Sequence, residues 1–248
     1  MGCFIDSDDY IEKRFLENII GNVKLKETDL ILSGVKYVTI DDKINRIIQF
    51  PDKLVKISNN SKTALALDKL FILRFGLTFG HLYNRSIIEN NNIRFCDQLC
   101  LHEDHLFFFD YLLHISCIYL RPQIEYCYVN DPSVISLSHN KKKTFEELYS
   151  AYRLLSASLL LFLKKNKIEK YLNQYRLINN FIIHILIKAI VASYQKKRTD
   201  EEHLNILKLY RRLNIFRFYR PSTLMGWGLF FCFLLMPLRV LHFTLKRV

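Results

Sequence analysis

The stretch FIDSDDYI, residues 4–11, decides how the rest of the chain is interpreted. It places three carboxylates, Asp6, Asp8 and Asp9, directly after an apolar pair, as a turn at the end of a buried strand would. Carboxylate oxygens are hard ligands that suit Mg²⁺ or Mn²⁺, and such ions often share their coordination sphere with substrate phosphates. Alternate residues of an extended segment point the same way, so Asp6 and Asp8 can face one ligand together. The alternative is that Asp8 or Asp9 caps a helix that begins just after the motif.

A second acidic pair, Glu103-Asp104, stands at the start of a predicted helix in the stretch LHEDHLFFF, residues 101–109. The helix dipole favours ionised carboxylates at this end of a helix. An ionised carboxylate at the edge of a cleft can act as a general base. Capping of the helix is again the structural alternative.

Two cysteines and two histidines, Cys96, Cys100, His102 and His105, surround the second acidic pair. Zinc ligands usually occur as two close pairs with a long gap between them. These four residues are instead crowded around a predicted turn and helix start. Their spacing therefore favours packing residues over a zinc site.

The composition predicts two regions of different character. The 248 residues are 50% hydrophobic and carry a net charge of +12, and the excess of basic residues lies after residue 140. Residues 1–140 alternate strand and helix patterns, whereas residues 141–248 read as helices that open with capping boxes at Thr144 and Thr199. We therefore predict an α/β domain over 1–140 and an all-helical basic region over 141–248.

The end of the chain is predicted to associate with a membrane. Residues 221–238 have no charged side chain, and arginines and lysines flank them. As a helix, the apolar run 224–238 would reach about 22 Å, short of the roughly 30 Å hydrocarbon core. This favours an in-plane or re-entrant anchor, with a buried core helix as the alternative. Scattered cysteines and no signal peptide favour the cytoplasm, at the inner face of the cell membrane.

Four stretches in this order resemble family-2 glycosyltransferases of the GT-A fold. They are FIDSDDYI, HLYNRSIIENNNIRF (81–95), LHEDHLFFFDYLLH (101–114) and IEYCYVNDPSVIS (124–136). The resemblance covers roughly residues 3–139, and it is to the bacterial enzymes that build cell-surface polysaccharides. It implies a partial GT-A, Rossmann-like domain followed by the helical region.

The resemblance also implies roles for the acidic residues. Asp6 and Asp8 match the family's D-x-D motif, with Asp6 near the donor's ribose or sugar and Asp8 as the ligand of Mn²⁺ or Mg²⁺. Asp104, beside Glu103, matches the catalytic base. The implied reaction is an inverting transfer from a nucleotide-diphosphate sugar to a growing polysaccharide or a lipid-linked saccharide acceptor.

Two departures from the family pattern stand out. Phe79 and His81 occupy positions where the family usually has Trp and Lys, which bears on acceptor choice. The nucleotide-binding segment that normally precedes D-x-D is absent before Asp6, so a truncated chain is expected. The alternative function is then an inactive transferase that only docks to a membrane or a partner.

No nucleic-acid partner is expected, because no nucleic-acid-binding motif accompanies the basic residues.

Overall fold

The computed structural model describes residues 1–21, 28–129, 143–195, 198–212 and 224–246. Within these ranges a mixed sheet is followed by packed helices, which confirms the α/β fold class. The predicted boundary at residue 140 and the end of the fourth resembling stretch lie in 130–142, outside the described residues. The predicted domain division therefore stays a prediction.

The described residues form one sheet whose strands are β1 (Gly2–Cys3), β2 (Tyr10–Ile11), β3 (Leu30–Val38), β4 (Ile44–Ile48), β5 (Lys53–Lys56), β6 (Leu82–Tyr83) and β7 (Cys117–Val129). The strand order is β1-β6-β3-β7-β2, with β4 beside β3 and β5 beside β7. β3 and β7 run parallel, and the other pairs are antiparallel. β3 is apolar and buried along most of its length, as a central strand requires.

The helices are α1 (Phe15–Ile20), α2 (Ser61–Lys69), α3 (Ile72–Phe75), α4 (Arg85–Asn90), α5 (Glu103–Leu112), α6 (Phe145–Lys165), α7 (Arg176–Ser193), α8 (Asp200–Arg212), α9 (Leu224–Leu235) and α10 (Leu238–Leu245). Both predicted capping boxes are confirmed. The Thr144 hydroxyl accepts from the Glu147 N–H at 3.2 Å, and the Thr144 N–H donates to the Glu147 carboxylate at 2.7 Å. Thr199 and Glu202 exchange the same two bonds before α8.

The helical region shares a hydrophobic core with the sheet region. Leu32 of β3, Phe108 of α5, Leu155 of α6 and Leu186 of α7 are fully buried in one cluster. A polar contact adds to this packing, because the carboxylate of Asp68 on α2 accepts from the backbone N–H groups at the start of α7. The first turn of α7 is thereby capped from the sheet region.

One helix of the described chain, α7, is long and apolar enough to cross a membrane. Much of its apolar surface is buried, and it packs on α6 as a core helix would. In the predicted anchor segment, α9 has only 12 residues and α10 begins after Pro237. Residues 221–223 of that segment lie outside the described ranges.

Candidate active site

The acidic turn at the start of the chain brings three carboxylates together. One oxygen each from Asp6, Asp8 and Asp9 lies within 4.8 Å of the others. Asp9 is already engaged, because the Tyr126 hydroxyl donates to one of its oxygens at 2.7 Å and the Val129 N–H donates to the other at 2.9 Å. Asp9 therefore fixes the turn to β7, and Asp6 and Asp8 are the carboxylates that face outward.

Tyr126 organises this turn from the neighbouring strand. Its hydroxyl oxygen also accepts from the Asp6 N–H at 3.1 Å, so one phenol holds both ends of the turn. Its ring stacks on Phe79 with centroids 4.9 Å apart. Gly80 follows at a φ of 70°, and a Cβ there would lie 2.8 Å from the Tyr126 ring. The close approach of Gly80 to Tyr126 thus requires a glycine.

The turn is attached to α5 through an aromatic cluster. Phe4 contacts Tyr83, Phe95 and Phe107 edge-on, at centroid distances of 5.6, 5.5 and 5.3 Å. The Phe4 carbonyl accepts from the Gly80 N–H at 3.0 Å. These contacts fix the segment that leads into Asp6 against the helix that carries the second acidic pair.

At the start of α5, His102 adopts a left-handed conformation, with φ at 64°, and the helix begins at the next residue. The Thr78 hydroxyl donates to the carboxylate of Asp104 at 2.6 Å. Burial raises the pKa of Asp104, the Thr78 hydrogen bond opposes this rise, and the nearby charge of Glu103 adds to it. A carboxylate with a raised pKa is a stronger base than an ordinary aspartate.

The structure brings the two predicted acidic sites close enough for their charges to interact. Partial burial raises the pKa of Asp6, and repulsion from Asp104, Asp8 and Glu103 raises it further. Asp104 and Asp6 are 98 positions apart in the sequence, so only the fold creates this interaction. A group of carboxylates that repel one another suits a divalent cation. Asp6 and Asp8 therefore fit the Mg²⁺ or Mn²⁺ that the sequence predicts.

The crowded cysteines and histidines do not converge on one point in the part of the chain that the structure describes. Cys96, Cys100, His102 and His105 are absent from the groups of converging ligand atoms found there. The His105 Nε2–H donates to the Arg74 carbonyl at 3.2 Å. Burial lowers the pKa of His102 to about 3 and that of His105 to about 4, so both rings are neutral.

The two positions that depart from the family pattern are buried. Phe79 stacks on Tyr126 and Tyr128. His81 is fully buried, and its Nδ1 accepts from the Ser33 N–H at 3.3 Å. Both side chains therefore serve the core in this chain.

A cavity of about 410 Å³ opens beside the start of α5. Its walls include Leu101 and His102 from the approach to α5, and Lys143 and Lys188 from the helical region. The two lysines give the cavity positive charge, and the carboxylates of the acidic turn and of the Glu103-Asp104 pair are not among its lining residues.

No model of a known protein family matches the sequence. The sequence is similar to the poly(ribitol-phosphate) β-N-acetylglucosaminyltransferase TarP of Staphylococcus aureus (strain N315), with 28% identity over 156 residues. The matched part is 60% of this chain and 45% of TarP. The chain therefore spans less than half the length of this relative.

The fold is similar to S. aureus TarS 1-349 in complex with UDP-GlcNAc, with a TM-score of 0.57 and 17% identity over 99% of this chain and 65% of that one. The complex of TarS 1-349 with UDP gives a TM-score of 0.60 and 16% identity, over 99% and 64% of the two chains. The chain has the GT-A-like fold of TarS. The resemblance to family-2 glycosyltransferases is confirmed.

Two polar residues of the candidate site were not predicted from the sequence. Tyr126 holds the acidic turn, and Thr78 holds Asp104. Tyr126 lies in the alternating strand IEYCYV, and Thr78 lies in a short loop before β6, so neither position is marked by a local motif. Only the tertiary contacts identify them.

Proposed function

We propose that this chain transfers a sugar from a nucleotide-diphosphate sugar to a hydroxyl of a cell-surface polymer. The observation that carries the proposal is that the fold brings Asp6, which converges with Asp8, close enough to Glu103 and Asp104 for their charges to raise its pKa. The comparisons support it, because TarP is by name an N-acetylglucosaminyltransferase and a TarS structure holds UDP-GlcNAc. UDP-GlcNAc is therefore the first donor to test.

In this proposal the acidic turn binds the donor. Asp8 holds Mn²⁺ or Mg²⁺, and Asp6 contacts the ribose or the sugar. The bound ion supplies positive charge that offsets the negative charge of the leaving diphosphate. Tyr126 keeps the turn in place by bonding to the Asp6 N–H and to the Asp9 carboxylate.

Asp104 is the proposed general base. It removes the proton of the acceptor hydroxyl while that oxygen forms a bond to the anomeric carbon. The bond from this carbon to the diphosphate oxygen breaks on the opposite side, and the nucleotide diphosphate leaves with the electron pair. The configuration therefore inverts. Thr78 holds one carboxylate oxygen of Asp104, which leaves the other to take the proton.

An anionic acceptor suits the cavity beside α5. Lys143 and Lys188 contribute to its walls, and the approach to the proposed base contributes His102. Lysine side chains attract phosphate groups. TarP acts, by its name, on poly(ribitol phosphate), whose repeating unit carries such a group. A phosphate-containing polymer is accordingly the proposed acceptor class.

We propose that the protein acts at the inner face of the cytoplasmic membrane. On α9, Trp227, Phe231 and Leu235 recur every four residues and are all at least 44% exposed. On α10, Phe243 is also exposed, and Arg239 lies between Leu235 and Phe243 in the sequence. An apolar stripe with adjacent basic residues suits the surface of an anionic bilayer.

Because Trp227 is the single tryptophan of the chain, a blue shift of its fluorescence on anionic vesicles would report this contact. An unchanged spectrum would contradict it.

The experiment that tests the function is a sugar-transfer assay. The full chain is supplied with UDP-GlcNAc, Mn²⁺ and a ribitol-phosphate polymer, and transfer is compared with that of Asp8→Asn and Asp104→Asn. We expect each substitution to lower kcat by about 100-fold or more. Asp41→Asn, on an exposed turn far from the motif in sequence, is the matched control and should transfer normally.

Two results would count against the proposal. Normal transfer by both Asp8→Asn and Asp104→Asn would remove the assigned roles. Vesicle binding without transfer from any nucleotide-sugar donor would favour the docking protein instead.

A further inference from the structure

A second group of ligand atoms converges in the helical region. One atom each from Asp200, His203 and His242 lies within 4.8 Å of the others. Asp200 and His203 are on α8, and His242 is on α10. We propose that these three side chains bind a zinc ion that ties α8 to α10.

His203 provides the first argument. It is only 5% exposed, and its Nε2–H donates to the Ser193 carbonyl at 3.2 Å. This bond places the proton on Nε2 and leaves Nδ1 with a free lone pair. Nδ1 is buried and has no hydrogen-bond partner among the described residues. Because an unpaired buried polar atom is costly, a bound cation explains it well.

His242 provides the second argument. Its Nδ1 lies 3.0 Å from the Tyr194 hydroxyl, and its Nε2 lies 3.3 Å from an Asp200 oxygen. The outward nitrogens of both histidines are thus held by consecutive residues, Ser193 and Tyr194. Metal-bound histidines usually have their second nitrogen hydrogen-bonded in this way, which fixes the ring for the metal.

The chemistry of the three ligands favours zinc. Two imidazole nitrogens and one carboxylate oxygen are a common Zn²⁺ donor set with an open fourth position. In a tetrahedral site with bonds of about 2.0–2.1 Å, the ligand atoms are about 3.3 Å apart. The three ligand atoms already lie within 4.8 Å of one another, so a small inward movement of the side chains would bring them to bonding distance of one ion. A cavity of about 590 Å³, lined by Asp200 and His242, leaves room for water in the fourth position.

Lys246 competes with the proposed ion. Its Nζ lies 2.9 Å from the same Asp200 oxygen that faces His242, and its side chain is exposed. Zinc binding would displace this ammonium group into solvent. Removal of the lysine charge should therefore tighten zinc binding. If the three residues formed only an ion-pair cluster with Lys246, the same substitution would simply remove one ion pair.

The test is a zinc titration of the full, tag-free chain after treatment with a chelator. A chromophoric competitor gives the stoichiometry and the affinity, and thermal unfolding is followed in parallel. We expect one equivalent of Zn²⁺, a rise in Tm, and a loss of affinity of at least tenfold in Asp200→Asn and His242→Gln. Asp200 is exposed, so Asp200→Asn is expected to fold even if His242→Gln does not. Lys246→Met should bind zinc more tightly than the unsubstituted chain.

Cobalt identifies the ligands, since the chain also has six free cysteines. Co²⁺ at the proposed site should give a tetrahedral spectrum without a thiolate-to-cobalt charge-transfer band. Zinc binding that is unchanged in Asp200→Asn, a thiolate band, or no binding at all would overturn the proposal. Asp8→Asn should keep the zinc site, so this result is independent of the proposed transferase activity.

Discussion

The ring of Phe4 meets the ring of Phe107 edge-on, with the ring centroids 5.3 Å apart. Phe4 comes two residues before Asp6, and Phe107 comes three residues after Asp104. A single aromatic contact therefore ties the acidic turn to the helix that carries the proposed base. The geometry of the site depends on the packing behind it as well as on the carboxylates themselves.

Substitution of Phe107 should destabilise the fold and disturb the site together. Phe107 is 2% exposed and also stacks on Phe95, so Phe107→Ala should lower the free energy of unfolding by about 3–5 kcal/mol. Urea denaturation measures this loss. Phe107→Leu keeps most of the volume and should cost clearly less. Equal stability of the alanine variant and the unsubstituted chain would contradict this packing.

Gly80→Ala should loosen the acidic turn. An alanine there would hold an unfavourable left-handed conformation, at about 1–2 kcal/mol, and its Cβ would press on the Tyr126 ring. Since Tyr126 holds Asp6 and Asp9, we expect weaker Mn²⁺ binding as well as lower stability. Gly228→Ala, with open space around its Cβ, is the control. If both variants bind Mn²⁺ equally well, the role given to the Gly80 contact is wrong.

Local motifs made part of the candidate site predictable. Asp6, Asp8, Glu103 and Asp104 stand in short runs of carboxylates next to apolar segments, and such runs can be recognised without a structure. The capping box at Thr144 was predictable for the same reason, because its partners are three residues apart.

Partners that are distant in sequence could not be found this way. Tyr126 reaches Asp9 across 117 positions, and Thr78 reaches Asp104 across 26. His242 had no recognisable partner in the sequence, since Tyr194 is 48 positions away. These contacts depend on strand pairing and helix packing, which a periodic pattern does not specify.

A buried ion pair in β7 should be costly to break. The Arg121 guanidinium, 1% exposed, lies 2.5 Å from the Glu125 carboxylate. Glu125→Ala leaves this charge buried without its partner and should cost about 3–5 kcal/mol of folding stability. The double variant Arg121→Met/Glu125→Leu removes both charges and should be more stable than Glu125→Ala alone. The opposite order in urea denaturation would show that the pair itself is not the source of the cost.

His81 should make stability depend on pH. Burial lowers its pKa from 6.5 to about 3 in the folded chain. Below pH 6.5 the unfolded chain therefore binds a proton that the folded chain does not, and stability falls on acidification. The contribution is about 1.4 kcal/mol per pH unit.

His81→Asn isolates this contribution, because Asn also offers an acceptor to the Ser33 N–H. Between pH 7.5 and 5.5 the free energy of unfolding should fall by about 1.4 kcal/mol more in the unsubstituted chain than in the variant. The other titrating groups contribute equally to the pH dependence of both proteins, so their contributions cancel in this comparison. Parallel pH profiles for the two proteins would mean that His81 is not buried in its neutral form.

The measurement that tests the central claim most directly is Mn²⁺ binding in the presence of UDP, followed by calorimetry on the full chain. Asp8→Asn, with Asp41→Asn as its exposed control, decides whether the acidic turn is the metal site. We predict that Asp8→Asn weakens Mn²⁺ binding by at least tenfold, while Asp41→Asn binds like the unsubstituted chain. Equal Mn²⁺ affinity in all three proteins would contradict the assignment of the turn as the donor-metal site.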